Sequence, residues 1–133
     1  MKMNKCSWKG RSEKVKKPWG YEIVWSALPG VHGKILSIEA GNRTSLKYNN
    51  HKDEVLYVLS GKVLIQHGDQ LTLTKEDERP YVIDEFFPGD VLHVQSCSPY
   101  RITAIENSEI IEIGNNKKSQ FTRLDDDYGR TCK

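Results

Sequence analysis

The chain has 133 residues, enough for one domain with one core, and only 37% of them are hydrophobic. Its 20 basic and 18 acidic residues leave a formal charge of +2, too balanced to argue for nucleic acid or a membrane surface as a partner. No apolar run approaches the ~18 residues of a membrane span, and no hydrophobic signal region is present. Three cysteines without a C-x-x-C pair give neither a disulfide framework nor a zinc knuckle, so a reducing, cytoplasmic setting is expected.

Basic residues cluster near the start in "KGRSEKVKK", and residues 1–16 read as a flexible basic arm ahead of a folded domain over 17–130. From Tyr21 onward the pattern changes. "YEIVW", "HGKILSIEA", "EVLYVLSG", "KVLIQHG", "QLTLT", "YVIDEFF", "DVLHVQ", "YRITAIE" and "EIIEIG" are short segments rich in Ile, Val, Leu, Tyr and Thr. Several alternate apolar with polar residues, the period of a half-buried strand. Gly, Pro, Asp and Ser punctuate them about every ten residues. "KVLIQHGDQLTLT" reads as a hairpin turning at Gly68–Asp69. "TKEDERP" reads as one helical turn or a surface loop, and beyond residue 115 only "FTRL" offers apolar anchors. Many short strands with regular turns predict an all-β antiparallel sandwich or barrel.

The chemistry-bearing stretch is "SLKYNNHKDEVLYVLSG", a strand, a polar turn and a strand. His51 and Glu54 are three apart across the turn and can aim at one point. Asn49, two residues from His51, faces the same way in extended chain. Imidazole and carboxylate suit a divalent transition metal. An Asn carbonyl is a weak ligand, and Lys47 on the same face places a cation where an ion would lie. The expected cofactor is therefore none, or a weakly held Zn, Mn, Fe or Ni. His93 falls in the inward register of "VLHV". Trp25 and Tyr57 are expected in the core, and Tyr48 and Tyr100 beside a ligand.

These residues resemble a cupin. Gly41, Asn49, His51, Glu54 and Gly61 follow the first cupin motif, and "PGDVLHVQSCSPYRI" follows the second, with Tyr100 at its His position. The chain is more closely similar to the cupin domain of type II mannose-6-phosphate isomerases. That likeness rests on "KPWGYE", "SLKYNNHKDE", "PYRITAIENSEIIEIG" and "RLDDDYGR", and covers roughly residues 17–130. It implies a single-domain cupin jelly-roll barrel that interconverts mannose 6-phosphate and fructose 6-phosphate, or handles a related small anion. The chain departs from the family at Lys47, where the family has Gln, and at Asn49 and Tyr100, where it has His. On this reading Glu54 is the base and Lys47 replaces the metal as electrophile. The alternative is that Lys47 and Glu54 form an ion pair. Tyr48, Tyr100, Arg101 and Arg123 bind substrate, with Arg101 at the cavity mouth. Alternatively Arg123 and Arg130 pair with Asp125 to Asp127 and clamp the tail. A homodimer is expected, paired through edge strands, with the "KPWG" arm crossing over. The competing functional reading is a non-catalytic binding protein with a degenerate metal site.

Overall fold

A computed structural model describes residues 4–26, 28–74, 80–115 and 120–130. Eleven strands follow in order: β1 Glu13–Lys17, β2 Gly20–Val24, β3 His32–Ile38, β4 Leu46–Asn49, β5 Glu54–Ser60, β6 Val63–His67, β7 Val82–Phe86, β8 Val91–Val94, β9 Tyr100–Ala104, β10 Ser108–Gly114 and β11 Phe121–Asp125. They form a six-stranded sheet, β1-β2-β3-β10-β5-β8, and a five-stranded sheet, β11-β4-β9-β6-β7. All the pairings between these strands are antiparallel. The expected all-β architecture is what these residues build. Among the described residues no helix is long and apolar enough to cross a membrane.

Strand alternation divides the barrel interior into two ends. At one end Ile38, Val58, Val63, Phe86, Ala104 and Ile110 pack into a dry core. Following the same inward phase along β3, β5 and β10 leads to the other end, where His32, Glu54 and Glu112 are buried. Gly61, at φ +86, makes the tight β5–β6 turn. A Cβ there would lie 2.2 Å from the Ser108 hydroxyl, so the position requires glycine.

Several local expectations are corrected. Glu13–Lys17 is a strand hairpinned to β2, so ordered backbone begins inside the stretch read as an arm. Trp19 of "KPWG" is 5% exposed and belongs to the core cluster of the chain. The segment after His67 does not turn back at Gly68–Asp69. Asp69 instead caps a 3-10 turn over Gln70–Leu73: its carboxylate accepts from Leu71 and Thr72 N–H, and its own N–H donates to the Thr72 hydroxyl. The strands that pair with β6 are β7 and β9. Most of "TKEDERP" lies outside the described residues. Trp25 and Tyr57 are 46% and 40% exposed, not core: Leu56 and Val58 take the inward places on β5, and the Trp25 ring lies against Gly33 of β3. His93 is exposed for the same reason: Leu92 and Val94 take the inward phase of β8.

Candidate functional site

The polar end of the barrel is built around Glu54, the first residue of β5. Its Oε1 accepts from Asn49 Nδ2 at 2.8 Å and from the Tyr100 hydroxyl at 2.9 Å. Lys52 Nζ lies 3.1 Å from Oε2. The partner of Glu54 is therefore Lys52, not Lys47. Burial and, next, the negative charge of Glu112 push the Glu54 carboxyl up, with Lys52 and Lys47 opposing. Burial, with the Glu54 charge after it, holds the Tyr100 hydroxyl well above its ordinary range, so Tyr100 acts here as a donor.

On the adjacent strand β10, Glu112 makes a different contact. His32 Nε2 donates to Glu112 Oε2 at 2.5 Å, and both side chains are buried. Burial alone would raise the Glu112 carboxyl. The His32 hydrogen bond, with the charges of Lys47, Lys34 and Lys52, outweighs it and leaves the group far below the carboxylate range. Glu112 lines a cavity of about 70 Å³ together with Lys34, Lys47, Tyr100 and Arg123. Glu22 at the edge of this cavity receives Lys34 Nζ at 3.1 and 3.2 Å, with Lys17 at 3.6 Å.

Lys47 and Arg123 face each other directly across the β4–β11 ladder. Both stack on Phe121: Lys47 Nζ is 4.7 Å and Arg123 Cζ 4.8 Å from the ring centroid. Burial lowers the Lys47 ammonium, while Glu112 and Glu54 resist.

The structure thus brings Asn49, Glu54 and Tyr100 together and places Lys47 and Arg123 at the cavity beside them. It does not bring in the other expected residues. His51 is exposed on the β4–β5 turn and outside the cluster. Tyr48 points to the opposite face of β4 from Lys47 and Asn49. Arg101 is buried, but its Nε donates to Thr44 O, and Nη1 and Nη2 donate to the Asp125 carboxylate and carbonyl. It is a tail clamp on the outer side of the five-stranded sheet, not a residue of the mouth. Arg43–Asp127 and Arg130–Asp126 complete that clamp. Arg123 donates to the Arg130 carbonyl.

Two site residues escaped sequence reasoning. His32, Glu54 and Glu112 hold ligand atoms within 4.8 Å of one another, the geometry of a candidate metal trio. Only Glu54 belongs to the cupin motif. The signal for Glu112 was its phase, two residues from the inward Ile110, which places a charge on the core face of an apolar strand. His32 begins the strand in phase with Lys34 and Leu36. The donors fit a divalent ion in kind, one imidazole and two carboxylates. Asn49 and Tyr100 do not fit one, because both donate to Glu54.

No family model matches the chain. The xanthan biosynthesis protein XanB of Xanthomonas campestris pv. campestris strain B100 is 28% identical over 130 residues, covering 92% of this chain and 26% of that protein. XanB of strain ATCC 33913 is 27% identical over the same span. The chain spans about a quarter of the length of these relatives. Among solved structures, oxalate decarboxylase from Bacillus subtilis superposes at TM-score 0.71 with 16% identity, over 85% of this chain and 30% of that one. KdgF from Halomonas sp. superposes at 0.66 with 14% identity, over 82% and 90%.

The fold is a cupin barrel.

The capsular polysaccharide assembling protein CapF from Staphylococcus aureus shares this cupin fold at TM-score 0.62 and 12% identity, over 80% of this chain and 29% of that one. One of the Bacillus subtilis oxalate decarboxylase structures is described by its Mn(II) centres.

Proposed function

We propose that this cupin binds a phosphorylated sugar or a related small anion between β4 and β11, and acts on it as an isomerase of the mannose 6-phosphate type. The observation that carries the reading is the Lys47–Arg123 pair. Like charges directly opposite in a ladder cost stability, and an anion between them would turn that cost into binding. Guanidinium and ammonium both suit phosphate. The 70 Å³ cavity is far below the ~300 Å³ of an ordinary ligand pocket. It admits a head group or one end of a sugar, and the remainder of the ligand lies at the open mouth. Similarity to XanB, a xanthan biosynthesis protein, supports a sugar-related role.

Isomerisation moves a proton between adjacent carbons and needs a base and a carbonyl polariser. In this reading Lys47 polarises the carbonyl oxygen. Glu54, its carboxyl raised by burial, exchanges the proton through the Tyr100 hydroxyl, which lines the cavity while Glu54 lies behind it. A divalent ion, if bound, would be held by His32, Glu54 and Glu112 and would act as a Lewis acid on the carbonyl. A second reading, binding without turnover, is favoured by one observation: Glu54 already receives three donors, from Asn49, Tyr100 and Lys52.

The test combines calorimetric titration with mannose 6-phosphate and NMR detection of fructose 6-phosphate, each with chelator and with added Zn, Mn, Fe or Ni. Elemental analysis of the purified protein reports any resident metal. Binding that falls at least tenfold in folded Lys47→Met supports the anion site. Turnover supports the isomerase, and binding without turnover supports the second reading. No affinity of the wild type for mannose 6-phosphate or inorganic phosphate overturns both.

A further inference from the structure

A second hollow lies beside the cavity at Glu112. It is a groove of about 830 Å³ between the segment before β1 and the β2–β3 connection, lined by Trp8, Arg11, Glu13, Trp25, Leu28 and Val31 among others. The cavity at Glu112 measures about 70 Å³. Only the groove reaches the ~300 to 1,000 Å³ of an ordinary small-molecule site. Strand register joins the two. Residues paired across antiparallel strands project to the same face, and one row runs Glu13, Val24, Lys34, Glu112. Glu13 and Val24 line the groove, whereas Lys34 and Glu112 line the cavity. Three steps between strands ~4.8 Å apart make this row ~14 Å long.

The two ends of the row differ in chemistry. At the groove end Trp8 is 61% exposed, and Trp25, Leu28 and Val31 are each nearly half exposed. A Cβ on Gly33 would lie 2.5 to 2.7 Å from three atoms of the Trp25 indole, so that ring is seated against β3 and its open part is a fixed platform. Indole faces and exposed apolar side chains suit a flat aromatic ligand group. Further along, Lys34 and Lys17 flank Glu22, two ammoniums for one carboxylate. At the cavity end Lys47 and Arg123 stack on Phe121. The lining thus passes from aromatic to cationic.

We propose that the groove is a nucleoside site. A nucleoside diphosphate seats its base against Trp8 and Trp25 and runs its phosphates past Lys34 to Lys47 and Arg123; this last contact rests on the anion site proposed above. Every base has a π-face, and stacking on an aromatic side chain strengthens binding by roughly tenfold or more per base. Glu13 at the groove end is an acceptor for a base N–H or a ribose hydroxyl. A hexose phosphate alone leaves the groove empty, and a purely apolar ligand leaves the cations unused. Both kinds of phosphate end between Lys47 and Arg123, so a nucleotide and mannose 6-phosphate displace each other, and the nucleotide regulates the sugar phosphate site. The same nucleoside diphosphate chemistry occurs free and joined to a sugar.

The test is calorimetric titration of the whole chain with UDP, ADP, UDP-glucose, inorganic pyrophosphate and mannose 6-phosphate, alongside tryptophan fluorescence. A nucleoside diphosphate is expected to bind at least tenfold more tightly than pyrophosphate, to quench tryptophan emission and to be displaced by mannose 6-phosphate. Trp8→Ala is expected to remove the tenfold advantage with pyrophosphate affinity unchanged, and Trp8→Phe to keep most of it. Leu28→Asp, also at an exposed groove position, serves if Trp8→Ala fails to fold. Lys47→Met is expected to weaken nucleotide and pyrophosphate alike. UDP binding tighter than UDP-glucose supports the site with the free nucleotide as its ligand, and the reverse order supports it with the sugar-linked form. Pyrophosphate binding with no gain from the nucleoside, or a gain that survives Trp8→Ala, overturns the nucleoside site and leaves the anion site standing. No binding of any of the five overturns both.

Discussion

Glu54 and Glu112 occupy the same end of one barrel, both buried, both carboxylates, and they live in opposite circumstances. Glu54 collects neutral donors, the Asn49 amide and the Tyr100 hydroxyl, with one lysine at its second oxygen. Burial and its acidic neighbour prevail, and its proton affinity rises. Glu112 has a histidine in direct contact and three lysines around it, and its proton affinity falls. Burial alone does not decide a buried acid's behaviour. The balance of burial against the hydrogen bonds and charges around it does. The more weakly compensated of the two is the one in the cupin motif, and the proposed isomerase reading gives this group the proton exchange.

The comparison is broken most severely at Glu112. Glu112→Ala leaves His32 buried without its acceptor and removes the main counter-charge near Lys47. Breaking a buried pair by deleting one partner costs about 3 kcal/mol or more, a fall of roughly 10 °C in a domain of this size. Urea or thermal unfolding measures it. A loss below about 1 kcal/mol would mean that the pair contributes no more than a surface contact.

A middle-sized effect is expected at Arg101, which lies outside both carboxylate clusters and tests whether they are isolated from the tail. Arg101→Lys cannot reproduce three donors reaching Thr44 O and both Asp125 acceptors. Asp125 is largely exposed, so solvent screens the ionic part. The loss is about 1 kcal/mol. Hydrogen exchange should speed up over residues 125–130 while amides of β5 and β10 keep their protection. Equal acceleration in β5 would show that the clamp and the acid cluster form one cooperative unit.

The strands were legible because their side chains alternate, and alternation is local information. β3 and β5 to β9 fall within segments that the sequence marks as strand, and β2 and β10 begin one residue before theirs. "QLTLT" misled because a capping aspartate one residue earlier captured it into a 3-10 turn. The site was legible at Asn49, Glu54 and Tyr100, which the cupin motif lines up, and at Lys47, which shares their face. It was not legible at His32 and Glu112. They meet Glu54 only because β10 pairs with both β3 and β5, a long-range register that no local spacing encodes. Trp25 and Tyr57 were misread because large apolar residues are ordinarily core. On a sheet apolar on both sides, residue type cannot say which side is inward.

The smallest effect tests the comparison most directly. Glu54→Gln keeps a carbonyl oxygen for Asn49 and Tyr100 but leaves Lys52 without its carboxylate; relief of a charge that burial disfavours offsets part of that loss, so stability at neutral pH should fall by about 1 kcal/mol. The sign of its pH dependence is the decisive part, measured on metal-stripped protein. A carboxyl near ~4.3 when unfolded and raised when folded stabilises the fold below that value, and the contribution is lost as pH rises through the folded value. Glu54→Gln should therefore gain stability relative to wild type as pH increases from about 4.3. Glu112 is lowered on folding, so its contribution is present above ~4.3 and lost as pH falls toward its folded value. Glu112→Gln should therefore lose ground to wild type as pH rises toward about 4.3 from below, and hold level above it. Opposite slopes confirm that neighbouring buried acids are held in opposite states. Slopes of one sign would mean that the two carboxylates titrate as a single unit, and that Glu54 has no separate proton to offer a substrate.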